Sequence, residues 1–448
     1  MSPQLRFRAA VARAFGRVPP VRLVLVGYAG CAALAWILLS LPFAQAVPGT
    51  SALDHLFTAV SAVSTTGLVT VSPSGAYSAF GEAVILLFIQ IGGIGYMSLG
   101  SFIVLSRGRR LSRSRERLLA ADFSMPRSFG LDEFVRGVVV FTVVAETLGA
   151  LALWALFSAA GVERALYQAV FHSISAFCTA GFSLFDTSLE AFADDPGVNF
   201  VVAALAYLGA VGFIVAVDVW RVWTGKQAHL TTTSRIILRF TTILTVAGTV
   251  GLFLAEGDAL PGTPAFRWLA AFFQAMTAMT TVGFNTVPIG GLVPGALLLV
   301  VLLMIVGASP SGTGGGVKTT TLSAIWAVVR SVLRGDEAVT YGGRPIPTDR
   351  VLAAVASFAF YVAVLTVGLL SLTLTEDADF LVLAFEAASA LGTVGLSMGV
   401  TGDLTAMGKL AVIGLMFAGR LGPLSVGSAL FLRGPREVEA GEEVEVIF

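Results

Sequence analysis

Long apolar runs alternate with short polar segments along the whole chain. Two of these runs are VRLVLVGYAGCAALAWILLS (21–40) and VVVFTVVAETLGALALWALFSAA (138–160), with 20 and 23 residues. A helix of this length crosses the ~30 Å hydrocarbon core of a bilayer. The pattern therefore predicts a polytopic membrane protein made of helices.

One short motif recurs four times between the apolar runs. Each copy has phenylalanine ten residues, alanine five residues and threonine two residues before a glycine. The copies are FTAVSAVSTTGL (57–68), FHSISAFCTAGF (171–182), FQAMTAMTTVGF (273–284) and FEAASALGTVGL (385–396). Four identities at fixed offsets, about 100 to 115 residues apart, indicate an internal repeat.

Each motif lies between two long apolar runs and is too short to cross a bilayer, which predicts a re-entrant pore helix. The first long helices are predicted at 21–44, 134–160, 234–256 and 348–374, and the second at 79–105, 197–223, 292–329 and 404–432. The predicted fold class is an all-α polytopic membrane protein with four covalently linked helix–pore-helix–loop–helix repeats and pseudo-fourfold symmetry around a central pore. The predicted parts are a basic cytoplasmic N-terminus (1–20), repeat 1 (21–115), repeat 2 (116–230), repeat 3 (231–335), repeat 4 (336–433) and a cytoplasmic tail (434–448).

Composition and charge agree with this organisation. The chain is 56% apolar and 12% charged, whereas soluble domains carry roughly 25% charged residues. Arginines are concentrated in stretches such as 106–136 and 330–350, so the positive-inside rule predicts cytoplasmic termini and outward-facing motifs. The predicted cytoplasmic stretches are 1–22, 106–136, 220–239, 330–350 and 433–448. The zero net charge indicates no nucleic-acid partner, and the two cysteines lie in apolar surroundings, which indicates no disulfide framework.

The repeated motif suits a ring of backbone carbonyls. Non-helical backbone at membrane depth is tolerated only where it is buried in protein or lines a polar cavity. A ring of carbonyl oxygens replaces the hydration shell of a weakly hydrated cation such as K⁺, and glycine adopts φ values that a Cβ would strain. Small residues at helix–helix contacts are the alternative explanation, but four copies in one register favour the ring.

The candidate filter residues are Thr65, Thr66, Gly67, Thr179, Ala180, Gly181, Thr281, Val282, Gly283, Thr393, Val394 and Gly395. K⁺ is predicted to bind the backbone carbonyls of Thr66, Gly67, Ala180, Gly181, Val282, Gly283, Val394 and Gly395.

With these four motifs, the chain resembles the Trk/Ktr/HKT superfamily of potassium transporters, and most of all the membrane (pore) subunit of bacterial Ktr uptake systems. The resemblance covers nearly the whole chain. It implies one filter glycine in each repeat, and Gly67 keeps the K⁺-type pattern where some members carry serine. The motif lacks the second glycine of the TVGYG channel sequence, which indicates fewer carbonyl rings and looser selectivity.

The resemblance also implies partners and a location. It implies a homodimer in the cell (inner) membrane, surrounded by membrane lipid, with a cytosolic ring of nucleotide-binding (RCK-type) subunits. No covalently bound cofactor is expected: K⁺ is the transported ion, Na⁺ is a candidate activator, and a nucleotide would act only through the partner. The basic loops at 106–117 and 330–350 are candidate docking surfaces.

A glycine-rich stretch, GASPSGTGGGVKTTT (307–321), interrupts the last helix of repeat 3. It partly matches a phosphate-binding loop, but Val317 stands where that motif requires glycine. An unwound helix at membrane depth fits beside a water-filled path, and a flexible break between packed half-helices is the alternative. The resemblance implies an intramembrane gate here, with candidate residues Gly307, Ser309, Ser311, Gly312, Thr313, Gly314, Gly315, Gly316 and Lys318.

Arg420 is a lone arginine in the apolar run 412–432. A cation in hydrocarbon costs about 2.5–3.5 kcal/mol on insertion scales and therefore faces a cavity or a partner. The resemblance places Arg420 in the pore beneath the filter, as a barrier to cations, so it joins the gate residues.

Several other polar residues lie within apolar surroundings. Thr58, His172, Gln274 and Glu386 each follow the repeated phenylalanine, and we expect them to hydrogen-bond the filter loops rather than contact the ion. Glu146 requires a buried partner that the sequence does not name.

Three classes of function are compared. The first is a K⁺-translocating pore subunit with channel-like permeation. The second is a secondary cation transporter with alternating access, which predicts inverted halves and a midplane site, and four parallel repeats argue against it. The third is a membrane-embedded enzyme, and three histidines with two cysteines argue against a metal centre of that kind. We therefore expect no enzyme activity.

Overall fold

The structure, a computed structural model, describes residues 20–106, 131–256, 262–310 and 312–422, together with Gly427. The predicted basic N-terminus up to residue 19, the basic loop 107–130, Ser311 and the tail 434–448 lie outside the described residues.

The fold consists of four consecutive units with a similar order of helices. Repeat 1 contains α1 (Pro20–Leu39), α2 (Ala52–Ser64), α3 (Pro73–Ala76) and α4 (Ala79–Ser106). Repeat 2 contains α5 (Leu131–Ala159), α6 (Ala165–Phe177), α7 (Pro196–Val211) and α8 (Phe213–Trp223). Repeat 3 contains α9 (Thr232–Glu256), α10 (Pro264–Thr280), α11 (Pro294–Ile305) and α12 (Thr319–Arg334). Repeat 4 contains β1 (Thr340–Tyr341), β2 (Arg344–Pro345), α13 (Thr348–Thr375), α14 (Phe380–Gly392) and α15 (Ala406–Leu421).

Short 3-10 helices complete the connections, at Pro42–Ala44, Glu190–Phe192, Ile289–Gly291 and Thr401–Asp403.

Within the part of the chain that the structure describes, three helices are long and apolar enough to cross a membrane by themselves: Arg136–Ala159, Thr232–Glu256 and Thr348–Thr375. The α7–α8 pair passes the same test as one span, although it is bent by 97°. Each of the three long helices is the first helix of its repeat, as the sequence predicts.

The pore helices α2, α6, α10 and α14 form the centre of the molecule. Their repeated phenylalanines and alanines are completely buried, and these are Phe57, Ala62, Phe171, Ala176, Phe273, Ala278, Phe385 and Ala390. The fixed offsets in the sequence therefore mark the residues that pack each pore helix into the core. α2 and α10 begin at Ser51 and Thr263, whose hydroxyls accept the N–H groups of Asp54 and Phe266 and so cap the helices.

The last repeat closes against the first. α15 packs on α2, and the Nζ atom of Lys409 lies 2.8 Å from Oδ1 of Asp54. This ion pair joins the beginnings of the two helices.

One of the second helices differs from the prediction, and another is broken as predicted. The continuous helix predicted at 197–223 is wrong, because the chain bends at Gly212, which has φ +85°. A glycine in an apolar run is not by itself a sign of a break, since the unwinding depends on what the freed carbonyls contact. The predicted break in repeat 3 is present, between Ile305 and Thr319.

Smaller differences concern element ends. α1 ends at Leu39 rather than at 44, and α15 is described to Leu421 rather than to 432. The hairpin of β1 and β2 was not predicted; Gly342 and Gly343 both have positive φ at its turn, as a two-residue hairpin loop requires.

Candidate functional site

A threonine in the left-handed conformation follows each pore helix, directly in repeats 1, 3 and 4 and after Cys178 in repeat 2. The φ angles of Thr65, Thr179, Thr281 and Thr393 are 51°, 49°, 59° and 48°. The glycines two residues later also have positive φ, between 67° at Gly181 and 96° at Gly395. Left-handed backbone is rare for a β-branched residue, so four such threonines mark a conformation that the surrounding packing imposes.

The four candidate filter segments close into a ring. A Cβ on Gly67 would overlap the carbonyl oxygen of Ala180, and each following glycine stands in the same relation to the next repeat. The four glycine–carbonyl pairs are Gly67 with Ala180, Gly181 with Val282, Gly283 with Val394, and Gly395 with Thr66. The last pair returns to repeat 1, so the backbone of all four repeats meets around one axis.

Hydrogen bonds to the pore helices orient these segments. The N–H of Thr66 donates to the carbonyl of Ser61 at 2.9 Å, and the equivalent bonds in the other repeats are 2.8, 3.1 and 2.9 Å. In all four repeats the acceptor lies six residues before the glycine, and the acceptors are Ser61, Ser175, Thr277 and Ser389. The N–H groups therefore point back to the helices, away from the ring.

The glycine-rich loop between α11 and α12 lies directly against the inner end of this ring, which we define as the end at the four threonines. The N–H of Gly315 donates to Oγ1 of Thr281 at 3.1 Å, and the hydroxyls of Thr179 and Thr313 lie 3.0 Å apart. A Cβ on Gly315 would also overlap Oγ1 of Thr393. The loop thus contacts threonines of three repeats.

The bend in repeat 2 holds this loop. Because α7 ends at Val211, its last carbonyls lack partners within the helix. The carbonyls of Gly209 and Ala210 accept the N–H groups of Thr313 and Ser309 at 3.0 and 3.1 Å. Oγ of Ser309 donates to the carbonyl of Val211 at 2.6 Å. The two broken helices therefore satisfy each other's backbone groups.

Arg420 holds the same loop from α15. Its side chain is 2% exposed, and its guanidinium donates to the carbonyl of Thr313 in the loop and to the carbonyl of Gly92 in α4. Lys318 lies at the other end of the loop, where Nζ donates to the carbonyl of Gly314 at 2.7 Å. A positive charge is therefore buried beside the inner end of the ring.

Comparison with known proteins shows the family of this chain. The family model described as TrkH, cation transport protein, matches residues 35–433. The chain belongs to the TrkH family of cation transport proteins.

Relatives and a solved structure match nearly the whole of this TrkH-family chain. It is similar to the Ktr system potassium uptake protein B of Vibrio alginolyticus, at 35% identity over 94% of this chain and 93% of that protein. The protein of the same name from Bacillus subtilis (strain 168) is 34% identical over 91% of this chain and 92% of its own length. The crystal structure of the potassium transporter TrkH from Vibrio parahaemolyticus has the same fold, with a TM-score of 0.73 at 20% identity, over 92% of this chain and 84% of that chain.

These findings confirm the predicted family and fold class, a polytopic helical membrane protein with repeated pore units. The roles of the individual filter and gate residues stay predictions. The structure brings all twelve candidate filter residues into the ring and places Thr313, Gly314 and Gly315 against the threonines at its inner end. Gly307, Gly316, Lys318 and Arg420 contact other residues of the loop, and Ser309 and Gly312 contact Ala210. Ser311 lies outside the described residues.

The polar residues that follow the repeated phenylalanine contact the chain beyond the ring in three repeats. Nε2 of His172 lies 2.9 Å from Oγ of Ser183, and Nε2 of Gln274 donates to Oγ1 of Thr286 at 3.0 Å. Oε2 of Glu386 accepts from the hydroxyl of Ser397 at 2.9 Å. For these three residues, the bonds are of the kind that the sequence predicts. The Thr58 hydroxyl has no hydrogen-bond partner among the described residues.

The partner of Glu146 is Gln90, whose Nε2 donates to Oε2 of Glu146 at 3.0 Å. Sγ of Cys178 lies 3.8 Å from the other carboxylate oxygen. Gln90 lies two residues before Gly92 on α4, so this cluster holds the same turn of α4 whose Gly92 carbonyl accepts from Arg420.

Among the described residues, no group of three or more His, Cys, Asp or Glu side chains is placed to hold a metal ion. The glycine-rich loop differs from a phosphate-binding loop in its surroundings, because its glycines pack on the backbone of Ala210, Thr280 and Gly392.

One set of residues was missed from the sequence. A hydroxyl side chain stands six residues before each filter glycine, at Ser61, Ser175, Thr277 and Ser389. The motif alignment already contained this signal, but it varies between serine and threonine and so does not stand out among strict identities.

Proposed function

We propose that the chain is the potassium-translocating pore subunit of a Ktr-type K⁺ uptake system, in which ions permeate as in a channel. The closed ring of Thr66, Ala180, Val282 and Val394 carbonyls against the four glycines carries this proposal. The ring, with the next carbonyls at Gly67, Gly181, Gly283 and Gly395, would act as the selectivity filter by replacing the hydration shell of K⁺.

Each of the four parallel repeats contributes one glycine and one carbonyl to the ring, which supports permeation along one fixed axis. Alternating access requires two halves that rock about a midplane site, and the continuous glycine–carbonyl contacts through all four repeats favour the channel-like pathway over it.

The glycine-rich loop is proposed as the gate. It lies at the inner end of the filter, held by Thr179, Thr281 and Arg420. Passage of an ion requires the loop to move, which breaks these hydrogen bonds. The Arg420 charge beside the path opposes a cation until that movement occurs.

The wider assembly follows from the relatives. Two of them are named as parts of a Ktr potassium uptake system. We propose a homodimer in the cell membrane, with both termini cytoplasmic and a nucleotide-binding ring docked on the basic side. Of the two candidate docking loops, 330–350 includes the exposed end of α12 and the β1–β2 hairpin. Na⁺ as an activator belongs to the same proposal.

A paired glycine substitution tests the filter. Gly283→Ala places a Cβ against the Val394 carbonyl at φ +82°, whereas Gly291→Ala places one in open space. Rubidium uptake into proteoliposomes should be present in wild type, competed by K⁺ more than by Na⁺, unchanged in Gly291→Ala and lost in Gly283→Ala. Equal uptake by both variants at matched incorporation would contradict the filter assignment.

A further inference from the structure

The filter ring is held differently in its two halves. In repeats 2 and 3, the glycine-rich loop bonds the threonines at the inner end, through Thr313 to Thr179 and through the Gly315 N–H to Thr281. In repeats 1 and 4, the equivalent hydroxyls of Thr65 and Thr393 are buried with no hydrogen-bond partner among the described residues. The loop therefore anchors one half of the ring.

The other half has its own anchors, behind the backbone. The N–H of Gly67 donates to Oγ of Ser61 at 3.1 Å, and the N–H of Gly395 donates to Oγ of Ser389, also at 3.1 Å. Both serines are fully buried. We call these two hydrogen bonds the serine clamps.

The same position behaves differently in repeats 2 and 3. Oγ of Ser175 donates to the carbonyl of Phe182 at 2.8 Å, one residue beyond the filter glycine. Oγ1 of Thr277 is buried with no hydrogen-bond partner among the described residues. Four hydroxyls in one register thus have three different environments, and the clamp geometry occurs where the loop does not hold the threonine.

A clamp fixes the direction of a carbonyl. The peptide unit is planar and trans, so its N–H and C=O point in opposite directions. An N–H of Gly67 held by Ser61, behind the ring, turns the Thr66 carbonyl forward. An N–H of Gly395 held by Ser389 does the same for Val394. The Thr66 oxygen lies against Gly395, so the two clamped peptides are neighbours in the ring.

We propose that Ser61 and Ser389 are specificity-determining positioning residues, which hold the Thr66 and Val394 carbonyls toward the ion when the glycine-rich loop moves away. This inference rests on the proposed function. Repeats 2 and 3 lose their loop anchors when the gate opens, whereas the serine clamps do not involve the loop. The open filter would therefore keep two carbonyls in fixed positions.

The test is the preference for K⁺ over Na⁺, measured by competition of each ion against rubidium uptake in proteoliposomes of the full chain. Ser61→Ala and Ser389→Ala should each lower the preference about threefold to tenfold, the effect of losing one hydrogen bond of about 1 kcal/mol. Ser389→Thr should keep the wild-type preference for K⁺ over Na⁺, because threonine supplies the same hydroxyl. Thr277→Val, at the same register without a clamp, should leave the preference unchanged.

Two further variants keep the test decisive if an alanine variant does not fold. Ser61→Cys and Ser389→Cys preserve volume but offer only a weak acceptor, so they too should lower the preference. A preference within about twofold of wild type in the folded alanine or cysteine variants would overturn the inference. Absence of K⁺-competed rubidium uptake by wild type would instead overturn the proposed function.

Discussion

The proposed filter segment occurs four times in the chain, whereas the glycine-rich loop occurs once. In all four repeats, a left-handed threonine follows the pore helix and the glycine two residues later lies against a carbonyl of the next repeat. The proposed gate segment belongs to repeat 3 and is held by Gly209 and Ala210 of repeat 2 and Arg420 of repeat 4. Under the proposed function, ion coordination uses a symmetric ring, whereas control of passage depends on one asymmetric element that contacts several repeats.

The two broken helices show how that asymmetry is stabilised. A break exposes backbone carbonyls, and within a membrane those groups need partners. The bend at Gly212 and the break after Ile305 meet, so that the carbonyls of one accept the N–H groups of the other. Either break alone would leave buried backbone groups unpaired, at about 1–3 kcal/mol each.

The largest effect is expected from replacement of Arg420, which should change the rate of uptake without changing the preference for K⁺. Arg420→Gln removes the charge and weakens the hold on Thr313 and Gly92. Hydrogen bonds to charged groups contribute about 1.5–3 kcal/mol, so rubidium uptake should rise about tenfold with the K⁺ preference unchanged. The uptake of Arg420→Lys should lie between those of wild type and Arg420→Gln. Uptake by Arg420→Gln equal to that of wild type at matched incorporation would show that Arg420 does not hold the gate closed.

A smaller effect is expected at the contact between loop and filter. Thr313→Val removes the hydroxyl that contacts Thr179 and donates to the carbonyl of Phe177 at 3.1 Å. Loss of about 1 kcal/mol should raise uptake about threefold to fivefold. Thr319→Val is the matched control, because the buried Thr319 hydroxyl has no hydrogen-bond partner among the described residues. If the two variants transport alike, the contact between Thr313 and Thr179 is not part of gating.

The weakest effect concerns ring closure at the outer end of α2. Burial alone would raise the pKa of Asp54, but hydrogen bonds from Lys409 and Ser51 and the Lys409 charge lower this pKa from 3.8 to about 2. The ion pair therefore stabilises the fold fully above about pH 4, and this contribution is lost as pH falls through about 2.

Thermal unfolding in detergent at several pH values measures this contribution. Asp54→Asn should melt about 2 °C below wild type at pH 7, and the difference should shrink as pH falls from 4 toward 2. A constant difference across that range would mean that the ion pair does not contribute, and it would weaken the view that α15 closes the ring on α2.

The repeated parts of the fold could be predicted from the sequence because repetition separates signal from chance. Thr65 and Gly67 alone are compatible with a contact between helices, but the same residues at the same offsets in the other three repeats indicate a loop of defined structure. The buried phenylalanines at Phe57 and its equivalents follow from the same alignment.

The unrepeated parts could not be predicted in the same way. Gly212 bends repeat 2 because the loop of repeat 3, about 100 residues away, supplies partners for the freed carbonyls. Gln90 pairs with Glu146 only through the packing of α4 on α5. The serine clamps depend on backbone orientation, which sequence spacing does not specify.

The most direct test of the central claim is to locate the ion. Crystals of the protein grown in rubidium or thallium salts should show an anomalous peak on the ring axis, between the carbonyl oxygens of Thr66, Ala180, Val282 and Val394. The same peak should be missing from crystals of Gly283→Ala. A wild-type ring without such a peak, with ions bound elsewhere in the membrane region, would contradict the assignment of these four segments as the filter.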